Sequence, residues 1–446
     1  MLRKIFSWYK RFQISKSPQL NLVWGFFLYT MLGLGLLSIP LFHKVPVSFI
    51  DNLFISTSAI STTGLATISV SDSYNFFGQA VVLLLIQIGG IGYMTLTSYY
   101  LLLTTRKLNP FHNKVLGAEF TLPTSIKLID FIRSAILFTF IMEALGAILL
   151  YIEFKAEGMQ IGEAAWFAIF HSVSAFCTAG FGLLNDSFMQ YRDNTLINIV
   201  IAVLSIAGSL GFFVVTDIWY RITKKASKLS FTTRLIVVGF FLLLFGGTIL
   251  IYFSEPHIRG FDNAALMTAF FQAMTAMTTV GFNTIDTGMV SLPVLLLVVF
   301  LMYVGASPSG TGGGMKITTL IAMIAVLKSR VFGQKKITFM KRVIPFERLY
   351  VATSTFILYT ILIFFFTWLL SYTEEATFSQ ILFEVSSALG TVGLSMGITG
   401  GLTEIGKVFI VILMFIGRVG VLTFGFALLA RNRRNEPEFL EDDLAV

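Results

Sequence analysis

The chain has 446 residues, 55% of them hydrophobic and only 13% charged, with a formal net charge of +8. Soluble globular domains carry about 25% charged residues, so this composition excludes a water-soluble enzyme or binding module and indicates an integral membrane protein. Cys177 is the single cysteine, which rules out an intrachain disulfide, and it reads as a small buried residue rather than a redox centre.

In chain order, a basic N-terminus precedes an apolar run over 22–41. That run is too long for a signal-peptide core and no small-residue cleavage site follows it, so a retained first helix is expected. Further apolar runs at 80–103, 134–152, 197–220, 235–252, 292–327, 351–370 and 408–430 are long enough to span a bilayer, which takes about 20 residues. Taken in order the runs form four pairs, and within each pair lies a shorter segment, ending at Gly64, Gly180, Gly281 and Gly393. These read as re-entrant half-helices followed by extended loops, a conformation tolerated at membrane depth only where it lines a wet cavity or is packed in protein.

The four short segments, 54–64, 170–180, 271–281 and 383–393, repeat one pattern. Counting back from each glycine, Thr stands two before it, Ala five before, Ser or Thr six before and Phe ten before. The unit is helix, pore helix, filter loop, helix. Two crossings per unit make all four units parallel about an axis normal to the membrane. The expected fold is therefore an all-α membrane protein with eight transmembrane helices and four parallel repeats around one pseudo-fourfold pore. The repeats are placed at 1–105, 106–222, 223–330 and 331–446.

Most of the 32 Lys and Arg residues fall in the N-terminus, the connections between units and the C-terminal tail, which places those segments and both termini in the cytoplasm and the chain in the plasma membrane. On the filter side the cations are Lys44, Lys155, Arg192, Arg259 and Lys407, against many acids, among them Asp51, Asp72, Glu255, Glu384 and Glu404. An outward-facing acidic vestibule would concentrate cations; ordinary solvation of outer loops is the alternative. The acidic tail at 436–443 reads as a cytosolic end or a contact for partner subunits. Nothing points to nucleic acid.

A dehydrated monovalent cation needs several oxygen ligands at once, and backbone carbonyls supply them without a trapping charge. Turning successive carbonyls inward requires dihedrals that glycine reaches at little steric cost. The expected ion-binding set is Thr62, Thr63 and Gly64; Thr178, Ala179 and Gly180; Thr279, Val280 and Gly281; and Thr391, Val392 and Gly393. The third copy, Thr279-Val280-Gly281-Phe282, is close to the Thr-Val-Gly-Tyr-Gly loop of potassium channels, but no copy has that motif's second glycine.

The run 292–327 would be about 54 Å long as a continuous helix, against a hydrocarbon core of about 30 Å. Its middle reads Gly305-Ala306-Ser307-Pro308-Ser309-Gly310-Thr311-Gly312-Gly313-Gly314. Proline and clustered glycines do not remain helical, so a gate at mid-membrane depth is expected. A phosphate-binding loop is disfavoured, because Gly314-Met315-Lys316 lacks the Gly-Lys-Ser/Thr ending. The matching regions of the other units hold glycines but are expected to stay helical. Arg418 lies at the aligned level of the fourth unit, where an arginine faces protein interior or water; it is expected to act with the loop as the gate, or else as a structural partner to a loop carbonyl. Lys316 faces the inner cavity or snorkels, and Glu143 pairs with another helix or touches water. His171, Gln272 and Glu384 share one pore-helix position with Ile55 and are expected to pack on the outer surface rather than behind the filter.

This arrangement of Thr-x-Gly segments between paired helices resembles the Trk/Ktr/HKT superfamily of potassium and sodium transporters over essentially the whole chain. Within it the sequence looks most like the membrane subunit of bacterial Ktr potassium-uptake systems. By resemblance, Gly64, which some plant relatives replace with a sodium-favouring serine, argues for potassium. The resemblance also implies a homodimer with one pore per protomer and a cytosolic RCK-type regulatory ring. Any nucleotide would sit on that ring; this chain is expected to carry no cofactor, with K+ as substrate and Na+ as a candidate activator. A gated channel-like uptake protein is the leading reading. A sodium/potassium coupled carrier with alternating access is the alternative, since carriers bind substrate at broken helices. A membrane enzyme or ATP-driven pump has no metal cluster, nucleophile–base set or nucleotide motif in its favour.

Overall fold

The computed structural model describes residues 17–92, 95–96, 98–99, 127–261 and 264–429. The basic N-terminus, the acidic tail and most of the first connection lie outside these residues. The first unit comprises α1 (Pro18–Leu37), the pore helix α2 (Phe49–Ile60) and α3 (Phe76–Ile91). The second comprises α4 (Leu128–Ala156), the pore helix α5 (Ile161–Phe176), α6 (Thr195–Ser209) and α7 (Phe212–Ile222). The third comprises α8 (Phe231–Ser254), the pore helix α9 (Ala265–Thr278), α10 (Leu292–Val304) and α11 (Ile317–Val331). The fourth comprises α12 (Phe346–Thr373), the pore helix α13 (Phe378–Gly390), α14 (Glu404–Val419) and α15 (Val421–Leu429). Among the described residues the architecture is all-α apart from one hairpin of two-residue strands between the third and fourth units, β1 (Thr338–Phe339) with β2 (Arg342–Val343).

Local chemistry sets the helix starts. Ser17 caps α1 ahead of Pro18, Asn75 caps α3 and Ser230 caps α8, each accepting from a backbone N–H of the first turn. Thr377 and Gln380 form a reciprocal capping box at α13. The long first helices α1, α4, α8 and α12 are apolar enough to cross a bilayer. On α4, Leu137, Phe140, Leu145, Ile148 and Ile152 are exposed, as expected of a face solvated by lipid.

The units close into a ring. The second helix of each packs on the pore helix of the next: α3 on α5, α6 on α9, α10 on α13, and α14 back on α2. This arrangement puts the C-terminal halves of all four pore helices inside, where from Phe54, Phe170, Phe271 and Phe383 onward every residue but Val173 is buried.

The second helices depart from expectation. Only the third was expected to be interrupted, yet α6 and α7 meet at 90°, and α14 and α15 at 98°. The break falls at Gly211 (φ +88°) and Gly420 (φ +91°); α3 likewise stops at Gly92 (φ +86°) and α10 at Gly305 (φ +60°). A left-handed glycine ends a helix at low steric cost, and it does so in every unit. Among the described residues four helices are long and apolar enough to cross a bilayer, two bent pairs are so if each is one span, and Phe76–Ile91 and Leu292–Val304 are shorter apolar helices.

Candidate functional site

Each pore helix delivers its C-terminal, partially negative end to the centre of the ring, a field that favours a cation. The next residues make the same turn four times. Thr62, Thr178, Thr279 and Thr391 adopt left-handed φ of 51°, 51°, 60° and 49°, and Gly64, Gly180, Gly281 and Gly393 have φ of 93°, 64°, 81° and 93°. A non-glycine residue at positive φ is costly and persists only when its surroundings hold it.

The glycines also lie where nothing larger fits. A Cβ on Gly64 would strike the Ala179 carbonyl oxygen, one on Gly180 that of Val280, one on Gly281 that of Val392, and one on Gly393 that of Thr63. The four filter segments therefore contact one another in chain order and close a ring of carbonyls.

Behind the ring the quarters differ. The Ser58 hydroxyl accepts from Gly64 N–H (3.1 Å) and that of Ser387 from Gly393 N–H (3.1 Å). The matching hydroxyls of Ser174 and Thr275 have no partner among the described residues. The position shared by Ile55, His171, Gln272 and Glu384 is fully buried in all four units, so the expected outer-surface packing is overturned. The inward face of a re-entrant helix is set by its neighbours, which sequence spacing does not reveal. His171 Nε2 accepts from Leu183 N–H (3.2 Å), while the Glu384 carboxyl meets the hydroxyls of Ser395 (2.7 Å) and Thr399. Some vestibule acids are likewise engaged. Asp51 pairs with Lys407 (2.7 Å), and buried Glu255 accepts from Ser291 N–H (2.7 Å).

The glycine-rich segment passes directly under the ring. Ser307 N–H and Thr311 N–H donate to the Ser209 and Gly208 carbonyls, and the Ser309 carbonyl accepts from Phe212 N–H (3.0 Å). The segment thus satisfies backbone groups that the α6–α7 break releases, which a membrane interior demands. Thr311 Oγ1 lies 3.1 Å from Thr178 Oγ1, and the Thr311 carbonyl accepts from Thr62 Oγ1 (3.3 Å). Gly312 and Gly313 lie so close to the Thr279 and Thr391 hydroxyls that a Cβ at either would collide with them. Three consecutive residues therefore touch the threonines of all four quarters.

Two cations hold this segment. The Arg418 guanidinium donates to the Thr311 and Gly89 carbonyls and to Thr62 Oγ1 (3.1 Å), joining the fourth unit to the third and first. Lys316 Nζ turns inward and donates to the Gly312 (2.7 Å) and Gly313 (2.9 Å) carbonyls. Glu143 finds its partners in Gln87 (3.0 and 3.1 Å) and Cys177. Every residue named in the sequence for filter or gate falls within this one assembly. Lys316 as a holder of the loop was missed, although its position two residues after the glycine run was the available signal.

The family model described as TrkH, cation transport protein, matches residues 28–433. The chain belongs to the TrkH cation transport family. Among TrkH-family relatives, the Ktr system potassium uptake protein B of Bacillus subtilis is 33% identical over 427 residues, covering 94% of each chain. The potassium/sodium uptake protein NtpJ of Enterococcus hirae is 34% identical over 440 residues, covering 96% of this chain and 97% of that one. The crystal structure of the potassium transporter TrkH from Vibrio parahaemolyticus shares the fold, with a TM-score of 0.70 at 21% identity, covering 93% of this chain and 85% of that chain. The TrkH-family fold and the apolar spans make this a membrane protein that transports cations.

Proposed function

We propose that this TrkH-family protein conducts K+ into the cell through a gated, channel-like pore. The observation that carries the reading is the closed carbonyl ring made by four Thr-x-Gly turns in chain order, with one glycine-rich segment lying beneath all four threonines. The carbonyls of Thr62 to Gly64 and their counterparts replace the hydration shell of the ion. The pore-helix ends stabilise its charge. Residues 305–314, held by Arg418 and Lys316, close the path, and displacing them opens it.

Relatives named as potassium uptake proteins support K+ as the substrate, and one named as a potassium/sodium uptake protein supports a role for Na+. By the same likeness to Ktr membrane subunits, the protein works as a homodimer with both termini in the cytoplasm, above an RCK-type ring that binds the regulatory nucleotide.

Flux of K+, Rb+ and Na+ into vesicles of the purified protein, with and without the regulatory subunit, tests the proposal. K+ and Rb+ flux that saturates little with concentration supports it. Tight saturation with obligatory Na+ co-transport favours the coupled carrier, which the breaks in the second helices also suit.

A further inference from the structure

Glu384 sits on the pore helix α13, nine residues before Gly393, and is fully buried. Four oxygens of three side chains close a ring through three contacts there. Ser395 Oγ lies 2.7 Å from Glu384 Oε2, Thr399 Oγ1 lies against Glu384 Oε1, and the two hydroxyl oxygens are 2.9 Å apart. Ser395 Oγ also accepts from Gly397 N–H (3.0 Å). An ionised carboxylate is an acceptor only, and each hydroxyl has one hydrogen to give. Two hydrogens cannot fill three contacts. With both hydroxyls donating to a carboxylate, the Ser395–Thr399 contact would set lone pair against lone pair.

We propose that Glu384 is an uncharged carboxylic acid and a positioning residue for the fourth filter. A proton on Oε1 completes the circuit: Glu384 donates to Thr399, Thr399 to Ser395, and Ser395 back to Glu384 Oε2. Each hydrogen then has one acceptor, and a closed circuit of this kind reinforces itself in a low-dielectric site. The circuit ties the strand leaving the ring, two to six residues beyond Gly393, to the pore helix that enters it. It thereby fixes where the Thr391–Gly393 carbonyls stand, and with them the preference among ions. The other quarters lack this closed circuit, although a single bond from Leu183, three residues beyond Gly180, reaches the second pore helix. His171 accepts a single N–H, the Gln272 amide has no partner among the described residues, and Ile55 is apolar.

Among the described residues no cation bonds the Glu384 carboxyl. On the packed helices α10, α12 and α14 the titratable and charged groups are Tyr303, Glu347, Arg348, Tyr350, Tyr359, Tyr372, Glu404, Lys407 and Arg418. Tyr303 bonds Thr360, Lys407 bonds Asp51, and Arg418 bonds the gate segment. Tyr359 lies against Gly390, and Glu347, Arg348, Tyr350, Tyr372 and Glu404 are exposed. Glu374, at the end of α12, bonds Thr403.

The role in ion preference rests on the filter reading; the proton does not, and two measurements separate them. The first is the infrared carboxylic-acid C=O stretch of purified wild type minus Glu384→Gln at neutral pH. The second is the Rb+/Na+ flux ratio in vesicles. The amide of Glu384→Gln donates to Thr399 and accepts from Ser395, so it reproduces the acid. An acid band present in wild type and lost in Glu384→Gln is expected, with a wild-type flux ratio at neutral pH. Glu384→Ala should lower the ratio about tenfold, the scale of one lost buried hydrogen bond, and Ser395→Ala should lower it less. At alkaline pH the wild-type ratio should fall while that of Glu384→Gln holds. Absence of the band overturns the proton. A Glu384→Gln variant as impaired as Glu384→Ala, or a Glu384→Ala variant with an unchanged ratio, overturns the positioning role. If wild type itself shows no Rb+ preference, the filter reading fails, whatever the band shows.

Discussion

Arg418 and Thr311 belong to different quarters of the ring, yet the guanidinium of one donates to the backbone carbonyl of the other directly beneath the filter. The same guanidinium reaches Thr62 Oγ1 and the Gly89 carbonyl, so one side chain fastens the segment to the filter above and to the end of α3 beside it. A charge-assisted hydrogen bond of this kind contributes about 1.5–3 kcal/mol. Arg418→Ala should therefore shift the gate toward open by about tenfold or more. The initial rate of Rb+ uptake into vesicles without the regulatory subunit measures this. Lys316→Ala should act in the same direction, because its ammonium holds the next two carbonyls.

The serine and threonine hydroxyls behind the ring divide the filter into two kinds of quarter. Ser58 and Ser387 accept the N–H of their filter glycines, whereas Ser174 and Thr275 hold no partner among the described residues. Ser58→Ala and Ser387→Ala each remove the partner of a half-buried glycine N–H, a loss of about 1 kcal/mol. Each should lower the thermal midpoint of the purified protein. Ser174→Ala and Thr275→Val should leave it nearly unchanged.

The four repeated turns and the break at 305–314 were legible from the sequence for a simple reason. Gly64 and its counterparts adopt dihedrals that few other residues accept, so those glycines report the backbone, whereas the positive φ of Thr62 and its counterparts was hidden because a β-branched residue disfavours it. Pro308 and the glycines around it likewise cannot remain helical. The breaks at Gly211 and Gly420 were not legible, because an isolated glycine in an apolar run is also compatible with a straight helix. At Gly211 the decision falls to tertiary partners: the Ser309 carbonyl takes the Phe212 N–H that the break exposes. One signal was available. Gly89, Gly208 and Gly417 stand three residues before each break, where a Cβ would strike the carbonyls of Ile60, Phe176 and Leu389 at the pore-helix ends. The burial of His171, Gln272 and Glu384 was hidden for a related reason. Which face of a short helix turns inward depends on the ring around it.

Asp51 and Lys407 clasp the first and fourth quarters at the starts of α2 and α14. Partial burial tends to raise the Asp51 carboxyl, but Lys407 and the hydroxyls of Ser48 and Thr67 outweigh it and hold the carboxyl below its ordinary range. A carboxyl depressed in the folded state stabilises the fold above the unfolded-state value of about 3.9. That contribution is lost as pH falls through the lower folded-state value. The thermal midpoint should thus hold down to about pH 4 and drop below it. In Asp51→Asn this part of the acid dependence should be absent, with a lower midpoint at neutral pH.

The most direct test of the pore is Rb+ uptake by vesicles carrying Gly281→Ser. Any Cβ at this position collides with the Val392 carbonyl and sits at a φ of +81° that L residues rarely adopt. The variant, purified as a monodisperse protein, should lose at least about tenfold in Rb+ flux or in preference for Rb+ over Na+, the equivalent of about 1.4 kcal/mol. Flux and preference both equal to those of the parent protein would contradict the assignment of the four-glycine ring as the ion path.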